Sequence, residues 1–168
     1  MRLIGLDPGL RHTGWGVIEV LGTRLRFVAC GTVDSDAGDA LAVRLAALYD
    51  GLGEVFRVWL PAAAAVEETV VNRNPLSSLK LGHARGVVLL AAAHAGLPVT
   101  EYGAKRVKRS VTGTGAAQKD QVAAMVRVLL GQQVEAGPDA TDALAVAICH
   151  AHHHGTAQRI GAALAAAP

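Results

Sequence analysis

The sequence predicts an α/β domain built on a mixed β-sheet that is flanked by helices. Three short apolar segments with turn signals between them open the chain, and strand-like and helix-like patterns alternate after them. Short links favour antiparallel pairing in the first part, whereas strands separated by helices favour parallel pairing in the second. The length of 168 residues suits one domain. Residues 155–168 are expected to form a flexible tail.

The first half of the chain is predicted to form a meander and then a helix. Extended segments are expected at 2–7, about 13–20 and 25–33, because turn signals separate them. The helix is expected to start at Asp39 as its N-cap and to end before Pro61. Apolar residues at helical spacing predict its buried face: Leu41, Leu45, Leu48, Leu52, Val55 and Phe56.

The second half alternates strands and helices. A buried strand is expected from Ala62 to Glu67, and Asn74-Pro75 is a capping signal that opens a long helix ending at Gly96. The remaining elements are a strand at 97–102, a basic helical segment at 104–110, a helix at about 117–130 and a last helix opened by Gly137-Pro138. This order is typical of the RNase H-like kind of α/β domain.

Composition limits the class of protein but does not identify a partner. The formal net charge of +2 is too small to establish a polyanionic ligand, so the positions of the basic residues must decide that question. Cys30 and Cys149 lie far apart without metal-ligand spacing, which is typical of a reducing compartment, and we expect a cytoplasmic protein. Charged residues or prolines interrupt every apolar run, so no membrane span is expected.

Acidic residues end two of the predicted strands. Asp7 ends the first strand on the face that Leu3 and Gly5 share. Glu67 and Glu68 end the alanine-rich strand, and the period of two places them on opposite faces. Only one of the two glutamates can therefore meet Asp7, and the spacing alone leaves this choice open.

A second acidic pair opens the last helix. Asp139 and Asp142 stand three residues apart in its first turn, which places both carboxylates on one face. Converging carboxylates bind hard divalent cations, and two such ions can activate water and neutralise the leaving oxygen of a phosphodiester. Taken singly, these residues could instead complement a helix N-terminus, cap a turn or end a solvated strand. Their combination favours a metal site.

Four blocks of the sequence, in order, resemble the signature blocks of RuvC-type Holliday junction resolvases. The blocks cover nearly the whole chain and read IGLDPGLRHTGWGVI, AVEETVVNRNPLSSLKLGHARGVV, GTGAAQKDQV and PDATDALAVAICH. The resemblance implies a structure-selective endonuclease that resolves four-way junctions by paired, symmetric nicks in homologous recombination and DNA repair. It also implies a homodimer, with RuvA and RuvB branch-migration proteins as partners.

The resemblance assigns the acids. Asp7, Glu67, Asp139 and Asp142 match the catalytic, metal-binding residues of the family, and Glu67 is thereby chosen over Glu68. It implies two Mg²⁺ ions in each active site, for which Mn²⁺ can substitute, and a product with a 5′-phosphate.

DNA contacts are expected from the basic segment and from the family blocks. Helical spacing places Lys105 and Arg109 on one side of their helix, which suits a phosphate backbone. Relatives often carry an aromatic wedge after the catalytic glutamate, whereas here apolar Val70 or Val71 would have to wedge between bases. The predicted DNA-binding residues are Lys105, Arg106, Lys108, Arg109, Lys119, Arg73 and Val70.

Two further patterns lead to weaker expectations. The histidines His150, His152, His153 and His154 cannot all face one ion, so they are expected to form a surface tail. Gly82, Gly86 and Ala93 keep one side of the long helix small, which fits either close approach of another helix or packing within the chain.

Two other classes of protein fit the sequence less well. An actin-like phosphotransferase needs a second domain and a second phosphate loop, for which the chain is too short. A catalytically silent junction-binding protein would not require the four acids, and all four are present.

Overall fold

A computed structural model describes residues 1–68, 74–131 and 134–165, with the side chains of 155–165 outside the description. The first three strands form the predicted antiparallel meander, and the two later strands pair parallel to the first one. In these ranges the sheet has the strand order β3-β2-β1-β4-β5. The strands are β1 (Arg2–Asp7), β2 (His12–Leu21), β3 (Arg24–Asp34), β4 (Ala63–Glu68) and β5 (Val99–Gly103). The predicted mixed sheet is confirmed.

Helices cover both faces of this sheet. They are α1 (Leu41–Trp59), α2 (Pro75–His94), α3 (Ala104–Thr112), α4 (Lys119–Leu130) and α5 (Pro138–Ala165). On one face, α1 and α2 pack on Ile4 and Leu6 of β1. On the other face, α3, α4 and α5 enclose a core with Leu3. Successive side chains of β1 therefore point into two different apolar cores, as the period of two along a strand predicts. No helix of the described ranges is long and apolar enough to cross a membrane.

Three glycines let α5 lie directly on the strands. A side chain at Gly5 would collide with the backbone of Ala143, and one at Gly14 would collide with the carbonyl of Asp139. A side chain at Gly16 would overlap Leu144. Since only glycine permits such close backbone approach, these positions fix the first turns of α5 against β1 and β2.

The capping signals give two different outcomes. Asn74 caps α2 as predicted, since its side-chain oxygen accepts hydrogen bonds from the amides of Leu76 and Ser77. Asp39 as the N-cap of α1 is wrong, because Ala40 occupies that position without a side-chain cap. The turn before α1 is closed instead by Asp36, whose carboxylate accepts the Gly38 amide at 2.8 Å.

The buried face of α1 is shorter than predicted. Leu48, Leu52, Val55 and Phe56 are buried, but Leu41 is exposed because it lies beyond the edge of the core. The helix ends where Leu60 adopts a left-handed conformation, φ 49°, and donates its amide to the carbonyl of Phe56. Pro61 follows directly, so the predicted end is confirmed.

His150 does not belong to a surface tail. It is buried in α5, and the Tyr102 hydroxyl lies 2.9 Å from its Nδ1. The expectation is wrong for this residue because α5 continues through the histidines while still packed on β5 and α3. The flexible tail expected at 155–168 falls on residues whose side chains lie outside the described ones, and it stays a prediction.

Candidate active site

The carboxyl ends of two parallel strands bring Asp7 and Glu67 together. Leu6 of β1 pairs with Val66 of β4, so the next residue of each strand lies at the same edge of the sheet. Both acids line one cavity, whereas Glu68 is exposed and does not line it. The fold thus resolves the choice between the two glutamates that sequence spacing leaves open.

The first turns of α5 supply the remaining acids. Because Gly14 lets this helix end rest on β2 beside Asp7, Asp142 faces the same cavity. The cavity encloses about 280 Å³ and is named the acid cavity; its lining residues are Asp7, Glu67, Ala104, Val107, Lys108, Lys119, Val122, Asp142 and Ala145. Asp139 lies outside this lining, although its charge acts on Asp7. The structure therefore brings three of the four predicted acids around one space, with the fourth nearby.

Crowding and burial perturb the acids. Burial, and then the charges of Glu67, Asp142 and Asp139, raise the pKa of Asp7 to about 7. Burial and the charge of Asp142 raise the pKa of Glu67 to about 6. Ordinary carboxyl groups titrate near 4, so these two hold their protons into the neutral range. Such mutual repulsion is relieved when a cation enters among the acids.

Two lysines reach the same acids. The Lys119 ammonium donates a hydrogen bond to Asp142 Oδ2 at 2.9 Å, although four-fifths of the Lys119 side chain is exposed. Its charge lowers the pKa of Glu67, as does that of Lys108, which also lines the acid cavity. Two of the predicted DNA-binding residues therefore lie beside the acids, where a phosphate approaching them would also meet both ammonium groups.

The donor chemistry fits a hard divalent cation. Carboxylate oxygens are the ligands that Mg²⁺ and Mn²⁺ prefer, and Asp7, Glu67 and Asp142 supply them around one cavity. In the described part of the chain, no group of three acidic, histidine or cysteine side chains is already arranged to hold an ion. Lys119 holds Oδ2 of the Asp142 carboxylate, so a cation bound at this oxygen would displace the lysine.

The other predicted DNA contacts fall either in one further cavity or outside the described residues. Lys105, Arg106 and Arg109 line a second cavity on α3, away from the acids. Arg73 and Val70, with Val71, lie outside the described residues. Lys108 lines the acid cavity instead of this second cavity. Helical rotation separates Lys108 from its basic neighbours, because residue 108 points about 100° away from residues 107 and 109.

Sequence reasoning also missed the buried contact between Tyr102 and His150. Tyr102 pairs in register with Glu67, and His150 lies two turns after Asp142 on α5. This contact joins the strand beside Glu67 to the helix that bears Asp142. The signal available in the sequence was the helical spacing from Asp142 through the apolar run to His150.

The fold and these acids define the class of protein: an RNase H-like domain with a carboxylate centre at the end of its sheet. A family model for crossover junction endodeoxyribonuclease RuvC matches residues 3–150. The crossover junction endodeoxyribonuclease RuvC of Paramagnetospirillum magneticum is 59% identical over 98% of this chain and 99% of its own length. That of Acidiphilium cryptum is 59% identical over 96% of this chain and 97% of its own. The chain belongs to the RuvC family.

A solved structure agrees with this assignment. Thermus thermophilus RuvC, in complex with a Holliday junction substrate, superposes with a TM-score of 0.87 at 36% identity, covering 94% of this chain and 96% of that one. The yeast mitochondrial Holliday junction resolvase Ydc2 has a TM-score of 0.63 at 14% identity, covering 92% of this chain and 81% of its own, and shares the fold.

Proposed function

We infer that this chain is a structure-selective endonuclease that resolves Holliday junctions by paired, symmetric nicks during homologous recombination and repair. Membership in the RuvC family supports the reaction and the substrate. The observation that carries the inference at the level of residues is the meeting of Asp7, Glu67 and Asp142 around one cavity. A junction-binding protein without activity would have no use for acids whose burial and mutual repulsion raise the pKa of Asp7 to about 7.

Members of this family are metal-dependent nucleases. We propose that Asp7, Glu67, Asp139 and Asp142 hold two Mg²⁺ ions in this chain, with Mn²⁺ as a substitute. When bound, such ions would supply a water of lowered pKa and neutralise charge on the phosphodiester. Attack of water on phosphorus would break the bond to the 3′ oxygen, so the products would carry a 5′-phosphate and a 3′-hydroxyl. The protein's part is to fix the carboxylates: β1 and β4 place Asp7 and Glu67 side by side, and α5 places Asp142 opposite them.

Lys108 and Lys119 have a separate part in this proposal. Both line the acid cavity, and their charges favour the ionised form of Glu67. Before metal binds, a DNA phosphate brought to the acids would otherwise meet only negative charge. The two ammonium groups offset this repulsion and bind the phosphate beside the cut.

We propose that the active protein is a homodimer formed through α2. Gly82 and Gly86 are exposed, and a side chain built at either would meet nothing within 4 Å, so packing within the chain does not explain them. Leu79 and Leu90 extend the same helix face with 59% and 48% of their surface exposed. A small, apolar helix face suits close packing against a second copy, and a twofold dimer matches paired cuts in a symmetric junction.

The dimer is tested by introducing charge at its centre. Gly86→Glu is expected to convert a dimer into a monomer in light scattering at micromolar concentration, because it buries a carboxylate without a partner. Gly53→Glu is the matched control: Gly53 is an exposed glycine of α1 with nothing within 4 Å of an added side chain. A monomeric parent protein, or a Gly86→Glu dimer, contradicts the interface.

Two further expectations belong to this proposal. RuvA and RuvB branch-migration proteins would act with the dimer on the same junction. The cytoplasm is the expected location, because the DNA of the bacteria that supply the relatives lies there.

The function is tested by nicking of an end-labelled four-way junction and of a linear duplex of the same sequence. We expect paired nicks at symmetric positions of the junction with Mg²⁺ or Mn²⁺, and none with a chelator. Junction binding without nicking under all metal conditions would support the silent-binding alternative. Equal nicking of junction and duplex would contradict structure selectivity.

A further inference from the structure

A second cavity lies on the flank of α3 away from the acids. It encloses about 530 Å³, and none of the described residues that line it is acidic. It is named the basic cavity, and its lining residues are Lys105, Arg106, Arg109, Ser110 and His153. α3 and α5 thus form a pocket whose walls offer cations and neutral hydrogen-bonding groups, which is the lining expected for an anion.

The described residues provide no acidic partner for the cations of this pocket. Within the described ranges, Lys105, Arg106 and Arg109 form no ion pair, although the chain pairs other cations with acids. Those paired cations are Arg26, Arg57, Arg85 and Lys119. Three unpaired cations around one space repel one another, and an anion placed between them removes that repulsion.

Arg106 is held in place by an aromatic ring. Its guanidinium carbon lies 5.7 Å from the centre of the Tyr102 ring. Tyr102 is itself fixed, because it is buried and its hydroxyl contacts His150 Nδ1 at 2.9 Å. Stacking on a ring orients a guanidinium without using its N–H groups, so Arg106 can still donate to a phosphate.

The two remaining lining residues are uncharged, and His153 adds a neutral N–H to the pocket. The His153 ring stacks on Tyr102, with 5.4 Å between centres and 14° between planes. Burial, and then the charges of Arg106 and His152, lower the pKa of His153, which favours the neutral form of the ring. The Ser110 hydroxyl lies 3.2 Å from His152 Nδ1. The pocket can therefore combine charge-assisted and neutral hydrogen bonds to one anion.

The position of the pocket indicates which anion it receives. α3 buries Val107 and Val111, turns Lys108 toward the acid cavity and turns Arg109 toward the basic cavity. A helix with its side chains is about 10 Å across. Phosphates of one strand follow each other at about 3.4 Å along a duplex axis. A strand that is cut at the acids and runs across α3 along this axis would therefore present another phosphate to the basic cavity after about three nucleotides.

We propose that the basic cavity binds a non-scissile backbone phosphate of the DNA strand whose cut phosphate lies at the acid cavity. This inference rests on the proposed function, since that function supplies the strand. Lys105, Arg106 and Arg109 position the strand in this proposal, whereas the acids support its cleavage.

The test combines a neutral phosphate with a removed cation. A series of labelled junctions carries one uncharged methylphosphonate each, at successive positions on both sides of the cut, and binding is measured by anisotropy with a chelator present. At one position about three nucleotides from the cut, the wild-type chain should lose about tenfold in affinity. Arg109→Gln and Lys105→Gln should bind the unmodified junction about tenfold more weakly and lose less than about twofold further from that methylphosphonate.

A matched control separates this contact from general charge. Arg127 is an exposed arginine of α4 that does not line the basic cavity, so Arg127→Gln should lose the same affinity as wild type from the methylphosphonate. The proposal is overturned if Arg109→Gln remains as sensitive as wild type at every position, or binds the unmodified junction equally well. The same methylphosphonate series on linear duplex distinguishes the two proposals. If the variants and the wild type differ on duplex as they do on the junction, and the protein does not prefer the junction, the basic cavity is supported and only the proposed function is contradicted.

Discussion

The two flanks of α3 carry clusters of side chains of opposite charge. On one flank, Asp7, Glu67 and Asp142 repel one another, and the pKa of Asp7 rises to about 7. On the other flank, Lys105 and Arg109 line a pocket without an acidic partner among the described residues. The acids lack a cation that would neutralise them. The cations of the basic cavity lack an anion, such as a phosphate, that would neutralise them.

The comparison shows how one short helix, α3, separates the residues proposed to cut the DNA strand from those proposed to position it. Lys108 faces the acids, while its neighbour Arg109 faces the basic cavity. A continuous DNA strand can span both flanks, because its phosphates recur along its length. Removing acids should therefore affect cutting first, and removing the cations of the basic cavity should affect binding first.

The largest expected effect distinguishes two adjacent glutamates. Glu67→Gln should reduce nicking by about 100-fold to 1,000-fold, the loss typical of removing one group from a reaction centre. Glu68→Gln should change nicking by less than about threefold, because Glu68 is exposed and does not line the acid cavity. Single-turnover nicking of the labelled junction measures both. Equal losses in the two variants would show that the register of β4 does not select the active acid.

The second effect concerns the stability of the metal-free protein. The folded-state pKa values of Asp7 and Glu67, about 7 and about 6, lie above the unfolded values of 3.8 and 4.5. The folded chain therefore binds more protons, and its free energy of unfolding should fall as pH rises from about 4 to about 7. Asp7→Asn should stabilise the metal-free chain by about 1–2 kcal/mol at pH 8 and by little at pH 4.

Urea unfolding of both proteins at the two pH values, with a chelator present, measures this difference. A variant that is less stable than wild type at pH 8 would mean that the acids are not crowded in solution.

The smallest effect concerns the cation that already touches the acids. Lys119→Gln frees the Asp142 carboxylate and removes a positive charge from the acid cavity, so Mn²⁺ should bind up to about fivefold more tightly. Calorimetric titration with Mn²⁺ measures the affinity. Lys105→Gln loses the same charge at a distance from the acids and should change affinity much less. An equal gain in Mn²⁺ affinity in both variants would show that the effect comes from net charge and not from the contact between Lys119 and Asp142.

Local signals predicted the parts of the fold that depend on neighbours in sequence. The turns between the first three strands and the Asn74-Pro75 cap were identified correctly, because their physical causes lie within a few residues. Asp39 is not the cap, because Ala40 occupies the N-cap position, and the carboxylate of Asp36 closes the preceding turn. Residue type shows which side chains can cap a helix, but the geometry of the preceding turn determines which residue stands at the N-cap.

The site was predictable in its residue types and less so in its arrangement. The end of β1 indicated Asp7, but choosing Glu67 required the parallel pairing of β4 with β1. The ion pair of Lys119 with Asp142 joins residues 23 positions apart, and no local pattern indicates it. The burial of His150 depends on Tyr102 of a distant strand. These contacts are set by tertiary packing, which spacing within one element does not specify.

The measurement that tests the central claim most directly compares binding and nicking for Asp7→Asn on one labelled four-way junction. Binding is followed by anisotropy and nicking by gel, both with Mg²⁺ present. The separation of roles across α3 predicts a variant that binds within about threefold of wild type and produces no symmetric nicks. An Asp7→Asn protein that still nicks in pairs at the wild-type rate would contradict the acid cavity as the place where the strand is cut.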